Sequence, residues 1–163
     1  MSNAFWFASL ESRLCTIFET LVTDLLSETE YTPYFGMEAQ SNTDAEFPYF
    51  YFHELPSAEY GGDLQNDAIH AVLENIEVQV SANTSRQDAK LLSSYAMLAL
   101  KEMRFEVYLS SDLGQSGNVY RSVIRCRRMI GSEDSLWTQS TSSLLYPTES
   151  LEPETNLYPL GAQ

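Results

Sequence analysis

Residues 76–92 read IEVQVSANTSRQDAKLL, and this stretch decides the fold. Ile76, Val78, Val80 and Ala82 alternate with Glu77, Gln79 and Ser81, the period of a strand with one covered face. The alternation stops at Asn83. Thr84 or Ser85 then suits the cap of a helix, and Asp88 suits the positive end of its dipole. Beyond it Ala89, Leu92, Ala96, Ala99 and Met103 recur at helical spacing, with Leu91, Tyr95 and Leu98 beside them, so the spacing predicts a helix ending near Arg104. A strand that turns through a polar cap into a helix is a corner where many proteins hold a phosphate. Here GxxxxGK[ST] and GxGxxG are both absent, no Lys stands where a phosphate needs one, and the neighbourhood is acidic. The corner is expected to be architectural.

Working outward, Phe7, Leu10, Leu14, Ile17, Leu21 and Leu25 mark a first helix, its apolar face widened by Phe18 and Val22. From Ser27 to Glu46 the periodicity dissolves into a long polar loop. Tyr31, Tyr34, Phe35 and Met37 within it are candidates for a docking loop, or for packing back on the domain. Phe47–Leu55, FPYFYFHEL, fits a strand with Pro48 at its start or on an edge. Pro56 to Asn66 contains Gly61-Gly62, a turn or arm. The strand of the opening stretch starts near Ala71. After the second helix, Phe105–Leu109 alternates as a strand, Ser110–Gly117 is expected to be a loop, and Asn118–Ile130 is a final long strand. On it Tyr120, Ser122, Ile124 and Cys126 share one face, and Arg121, Val123, Arg125 and Arg127 the other. The order is helix, strand, strand, helix, strand, strand. An α/β (α+β) domain over residues 1–130 is followed by an acidic, Ser- and Pro-containing extension over 131–163, which suits an extended arm.

At 163 residues, 44% of them hydrophobic, the chain is long enough for one domain with a genuine core. Nine Lys and Arg stand against 23 Asp and Glu, a formal charge of −14. Such a surface repels nucleic-acid phosphates and anionic lipid, and favours basic protein partners. The distribution is uneven. No base lies between Arg13 and Arg86, an interval with 13 acids, while Arg121, Arg125, Arg127 and Arg128 crowd into eight residues. These four are candidate subunit-interface residues, because arginine is enriched at interfaces. The alternative is cross-strand pairing, for instance Arg125 and Arg127 opposite Glu77 and Gln79. Cys15 and Cys126 have neither metal-ligand nor disulfide spacing and are expected to be reduced core residues. No apolar run approaches the roughly 20 residues that span a bilayer, and the start lacks a basic n-region, so a soluble, cytosolic protein without membrane contact is expected.

No catalytic constellation emerges. Gly114-Gln115-Ser116-Gly117 lies between two strands, not between strand and helix as a nucleophile elbow requires. His53 and His70 each stand alone, without a second histidine at ligand spacing. Catalytic, cofactor-binding and metal-ligating residues are therefore all expected to be none.

The assembled pattern resembles the tail terminator (tail completion, or minor capsid) proteins of long-tailed bacteriophages. The likeness covers about Phe47 to Ile130 and is carried by FPYFYFHELPSAEY, LENIEVQVSANTSRQDAKLL, LKEMRF and NVYRSVIRCR. The family-like Gly before the aromatic at the end of the second helix is Arg104 here. SSDLGQSGN replaces the usual loop before the last strand, and the extension has no counterpart. The resemblance implies a mixed four-stranded sheet with helices on one face. It also implies a non-enzymatic virion protein, assembled in the host cytoplasm: a homohexameric ring in the neck that ends the tail tube and docks it to the head-side connector. Its partners would be itself, the tail tube protein and the head-completion or connector protein, with DNA passing through the lumen without specific binding. A ring of this kind is heterologous, one patch meeting a different patch of the next copy. A head-side neck or head–tail connector component is the alternative position, and a small hydrolase the remote alternative.

Overall fold

The computed structural model describes residues 6–38, 46–60 and 71–134. After a 3-10 turn at Trp6–Ser9, the elements are α1 (Leu10–Leu25), β1 (Tyr34–Gly36), β2 (Tyr49–Tyr60), β3 (Ala71–Ala82), α2 (Arg86–Glu102), β4 (Glu106–Ser116) and β5 (Val119–Gly131). The strands form one five-stranded mixed sheet in the order β1-β2-β3-β5-β4. β1 runs parallel to β2, and every other pairing is antiparallel. Because β5 returns between β3 and β4, the crossover through α2 spans two strand spacings. It carries α2 over the β3–β5–β4 half of the sheet.

Both helices cover the same face. Leu10, Leu14, Ile17, Phe18 and Leu21 of α1 are buried as the helical spacing predicts, and the flanking Phe7 and Leu25 pack partly buried against the same core. Phe18 is the hinge pin of the α1 contact. Its ring meets Phe35 of β1 at 6.2 Å, edge-on, and Phe50 and Phe52 of β2 at 6.2 and 5.3 Å. Such offset and edge-to-face pairs add to the burial itself. On the other half, Ala89, Leu92, Ala96, Ala99 and Leu100 of α2 pack on Val78, Val80, Ile124 and Cys126 in a single cluster. Small residues on α2 let the helix lie close to the sheet.

Three expectations need correction. The sheet has five strands, not four: β1 lies inside the stretch expected to be loop, where the three residues Tyr34–Gly36 are too few to show alternation. β2 continues through Pro56 to Tyr60, with a register shift between Leu55 and Ala58 that accommodates the missing amide. β4 continues through the expected loop to Ser116, so the hairpin turn is Gly117-Asn118, with Gly117 at φ 63°. Gly114, at φ 83°, sits beside a second shift between Asp112 and Gly114, a bulge that needs the left-handed backbone. Bulges at Tyr108 and Leu113 break the regularity of β4, an exposed edge strand that would otherwise invite pairing.

The helix of the opening stretch ends at Glu102. Met103 is its cap and Arg104 takes φ 62°. The Arg104 amide donates to the Lys101 carbonyl at 2.9 Å and the Phe105 amide to the Leu100 carbonyl at 3.0 Å. This is the left-handed stop that glycine usually fills. The described part of the extension ends at Asp134; residues 135–163, His70 and Gly61-Gly62 lie outside the described residues.

Candidate functional site

The strand-to-helix corner is built to hold itself. Ser85 Oγ accepts the Asp88 amide at 3.1 Å, closing the N-terminus of α2. Thr84 Oγ1 donates to Asp88 Oδ2 at 2.6 Å, and the Tyr31 hydroxyl donates to Oδ1 at 2.9 Å. These donors, Thr84 first and then Tyr31, hold the Asp88 carboxyl below the usual range. A carboxylate thus occupies the place an anionic ligand would take. A cavity of about 260 Å³ opens beside it, lined in part by Tyr31, Tyr34, Pro48 and Thr84, and brings no basic side chain. The adjacent Arg86 is spent on Asp112 of β4, 2.5 Å away.

The face of the sheet away from the helices carries the arginines. Arg121, Arg125 and Arg127 project there and are exposed, while Ser122, Ile124 and Cys126 are buried beneath α2. Arg128 parts from the other three, as a count of two per strand repeat requires. It lies on the helix side, donates to the Met103 carbonyl at 2.6 Å, and bonds both oxygens of Asp134 at 2.8 Å. It closes the C-terminal end of α2, where a cation meets the negative end of the dipole. Its side chain is only 11% exposed.

On the open face, Glu77 is the hub. It stands directly across from Arg125 on one side and His53 on the other. Arg125 Nε donates to its Oε2 at 2.6 Å and Gln79 to its Oε1 at 3.0 Å, with His53 Nε2 3.4 Å from Oε1. The side chains close over it and leave it 7% exposed. Burial pushes its carboxyl up, but the bonds from Gln79 and Arg125 and the charges of Arg125 and His53 outweigh that and hold it low. The expected cross-strand pair of Arg125 and Glu77 is therefore present. Arg127 instead faces Asn75 and takes Glu106 of β4 at 2.9 Å, its guanidinium lying 5.6 Å from the Tyr108 ring centre. The His53 ring stacks on Tyr51 at 4.5 Å, and its Nδ1 is enclosed without a hydrogen-bond partner among the described residues.

Exposed apolar groups accompany the arginines. Tyr108 and Leu109 of β4 and Met129 of β5 are 47%, 37% and 52% exposed. Alternation points Met129 to the open face; the β4 bulge that turns Tyr108 outward leaves no sequence signal. Of the proposed docking loop, Tyr31 is pinned to Asp88, Phe35 stacks on Phe50 at 5.3 Å, and Tyr34 opens β1; Met37 is the exposed member.

Cys15 and Cys126 are free and buried. Burial, joined at Cys15 by Glu19, pushes both thiols up to about 12, so neither is a thiolate at neutral pH. Among the described residues no group of three His, Cys, Asp or Glu side chains has metal-binding geometry. No described helix is long and apolar enough to cross a membrane.

Fold and surface together define an α+β domain whose mixed sheet has one face sealed by two helices and one face open and arginine-studded. No protein-family model matches the chain, and no curated protein matches it in sequence.

Proposed function

We propose that this chain is a structural virion protein, a tail terminator whose copies close into a ring that caps the phage tail tube and docks it to the head-side connector. The observation that carries the reading is the open sheet face. It combines exposed arginines with exposed Tyr108, Leu109 and Met129, the composition of a protein–protein contact, on a chain of formal charge −14. An acidic body also suits a lumen through which DNA slides without sticking. The protein works by shape and charge, with no turnover. The resemblance of the 47–130 stretch to tail terminators supplies the position in the particle, and the one-sided mixed sheet agrees with the fold that resemblance implies.

The test is to label the chain in particles and image both head-less tails and tail-less heads. A terminator stays with the tail, as one ring at its head-proximal end. A label found only on tail-less heads overturns the position, and one found on neither overturns the reading.

A further inference from the structure

The sheet order turns an uneven sequence into an uneven surface. Eight of the nine basic residues fall between Arg86 and Arg128, seven on α2 and β5 and Arg104 just past the end of α2, toward the β4 edge. Four of them, Lys90, Lys101, Arg104 and Arg121, are exposed and make no side-chain hydrogen bond or ion pair among the described residues. At the opposite edge, α1 packs over β1 and β2. There Asp24, Glu28, Glu30 and Glu38 are exposed, with their carboxylates equally unpaired among the described residues. Glu102 and Glu133 are the exposed, unpaired acids elsewhere among the described residues.

Each edge also has a shaped apolar element. On α2, Lys90, Leu91, Ser94, Leu98 and Lys101 share one outward stripe by helical spacing, and Leu91 and Leu98 are 45% and 50% exposed. An exposed leucine pair between two lysines is a knob without a socket in its own domain. At the other edge a shallow groove of about 470 Å³ separates the end of α1 from β1, lined by Glu19, Thr20, Thr23, Asp24, Ser27 and Phe35. The last turn of α1 holds no basic residue, so Asp24 and the helix dipole are negative together, and no basic side chain among the described residues pairs with Asp24.

We infer that the α2 stripe of one copy seats in the α1–β1 groove of the next. Leu91 and Leu98 meet the Phe35 side of the groove while Lys90 and Lys101 face Asp24 and Glu28. The occupant is a second copy, because the knob and the socket are complementary in charge and in apolar character and lie on opposite edges of the same molecule. Two different patches in contact make a heterologous interface, which closes into a ring or runs on as a filament. This assignment rests on the ring reading above and names its contact; the open arginine face then lies free for the tube or connector, or borders the seam.

Two double variants test it. Lys90→Glu with Lys101→Glu makes both edges acidic; Asp24→Lys with Glu28→Lys makes both basic. All four side chains are exposed, and circular dichroism checks that each variant folds. Self-association of the full chain is measured by sedimentation and native mass spectrometry at low salt, where charge contacts are strongest. Each variant alone should self-associate at least about tenfold more weakly than wild type. An equimolar mixture should restore a discrete oligomer with the two variants alternating, and so with an even copy number. If wild type and both single-edge variants assemble alike, this contact is overturned while the ring stands. If wild type and the mixture both remain monomeric even with the tail tube protein present, the ring reading falls and takes the contact with it.

Discussion

Arg104 occupies a backbone position that penalises any side chain, and replacing it with glycine should stabilise the protein. Its φ of 62° closes α2 through the two amide bonds at 2.9 and 3.0 Å, which do not depend on the side chain. A left-handed conformation costs an L-residue roughly 1–2 kcal/mol. Glycine removes that cost but gives back about 0.5–1 kcal/mol through its greater freedom in the unfolded chain. The net gain for Arg104→Gly is about 0.5–1 kcal/mol, which for a domain of this size raises Tm by roughly 1–4 °C. A second contribution has the same sign. Arg128 holds the end of α2, burial works against its charge, and Arg104 adds repulsion. Arg104→Ala separates the two, since it removes the charge and keeps the strained backbone. Thermal and urea unfolding of the three proteins should rank glycine above wild type, with alanine within a few tenths of a kcal/mol of wild type. If the glycine variant is less stable, or if alanine stabilises as much as glycine, the backbone argument is refuted.

Other expectations follow from the same geometry. Phe18→Ala empties the space between α1, β1 and β2 and should cost about 3–5 kcal/mol, read as a lower urea midpoint. Ser85→Ala removes the cap of α2 and should cost about 1 kcal/mol. Glu77→Ala strands Arg125, Gln79 and His53 and should cost about 2 kcal/mol, less than a sealed ion pair because Arg125 is 45% exposed. The Glu77 carboxyl is held below its ordinary 4.5, so its contribution is complete above that pH and is lost as the pH falls through the lower folded value. Glu77→Gln should therefore flatten the acid limb of a stability–pH curve, and an unchanged limb would remove Glu77 from its cause.

What the sequence disclosed depended on how many residues an element had in which to repeat its pattern. β3, β5 and α2 are long and keep one period throughout, so their faces and a cap at Thr84 or Ser85 were legible. Crowding in sequence grouped Arg128 with Arg121, Arg125 and Arg127, although its side chain lies on the helix side. β1 has three residues and no room for a period. The Ser110–Ser116 half of β4 lies on an exposed edge, where neither face must be apolar, and polar residues there look like a loop. Glu77 was assigned to an open face by alternation. Its burial comes from Arg125, Gln79 and His53 folding over it, a consequence of register that only pairing reveals. The α2 leucines were legible as flanking the core stripe, but not as an exposed knob, because spacing alone cannot say how wide a face the sheet covers.

The most direct measurement of the central claim is the native mass of the purified full-length chain at low salt. The proposed ring, with the copy number that the resemblance to tail terminators implies, predicts one closed species at six times the 18.5 kDa of a single chain, dissociating as salt is raised. A species at the single-chain mass across all concentrations, unchanged by the tail tube protein, would contradict it.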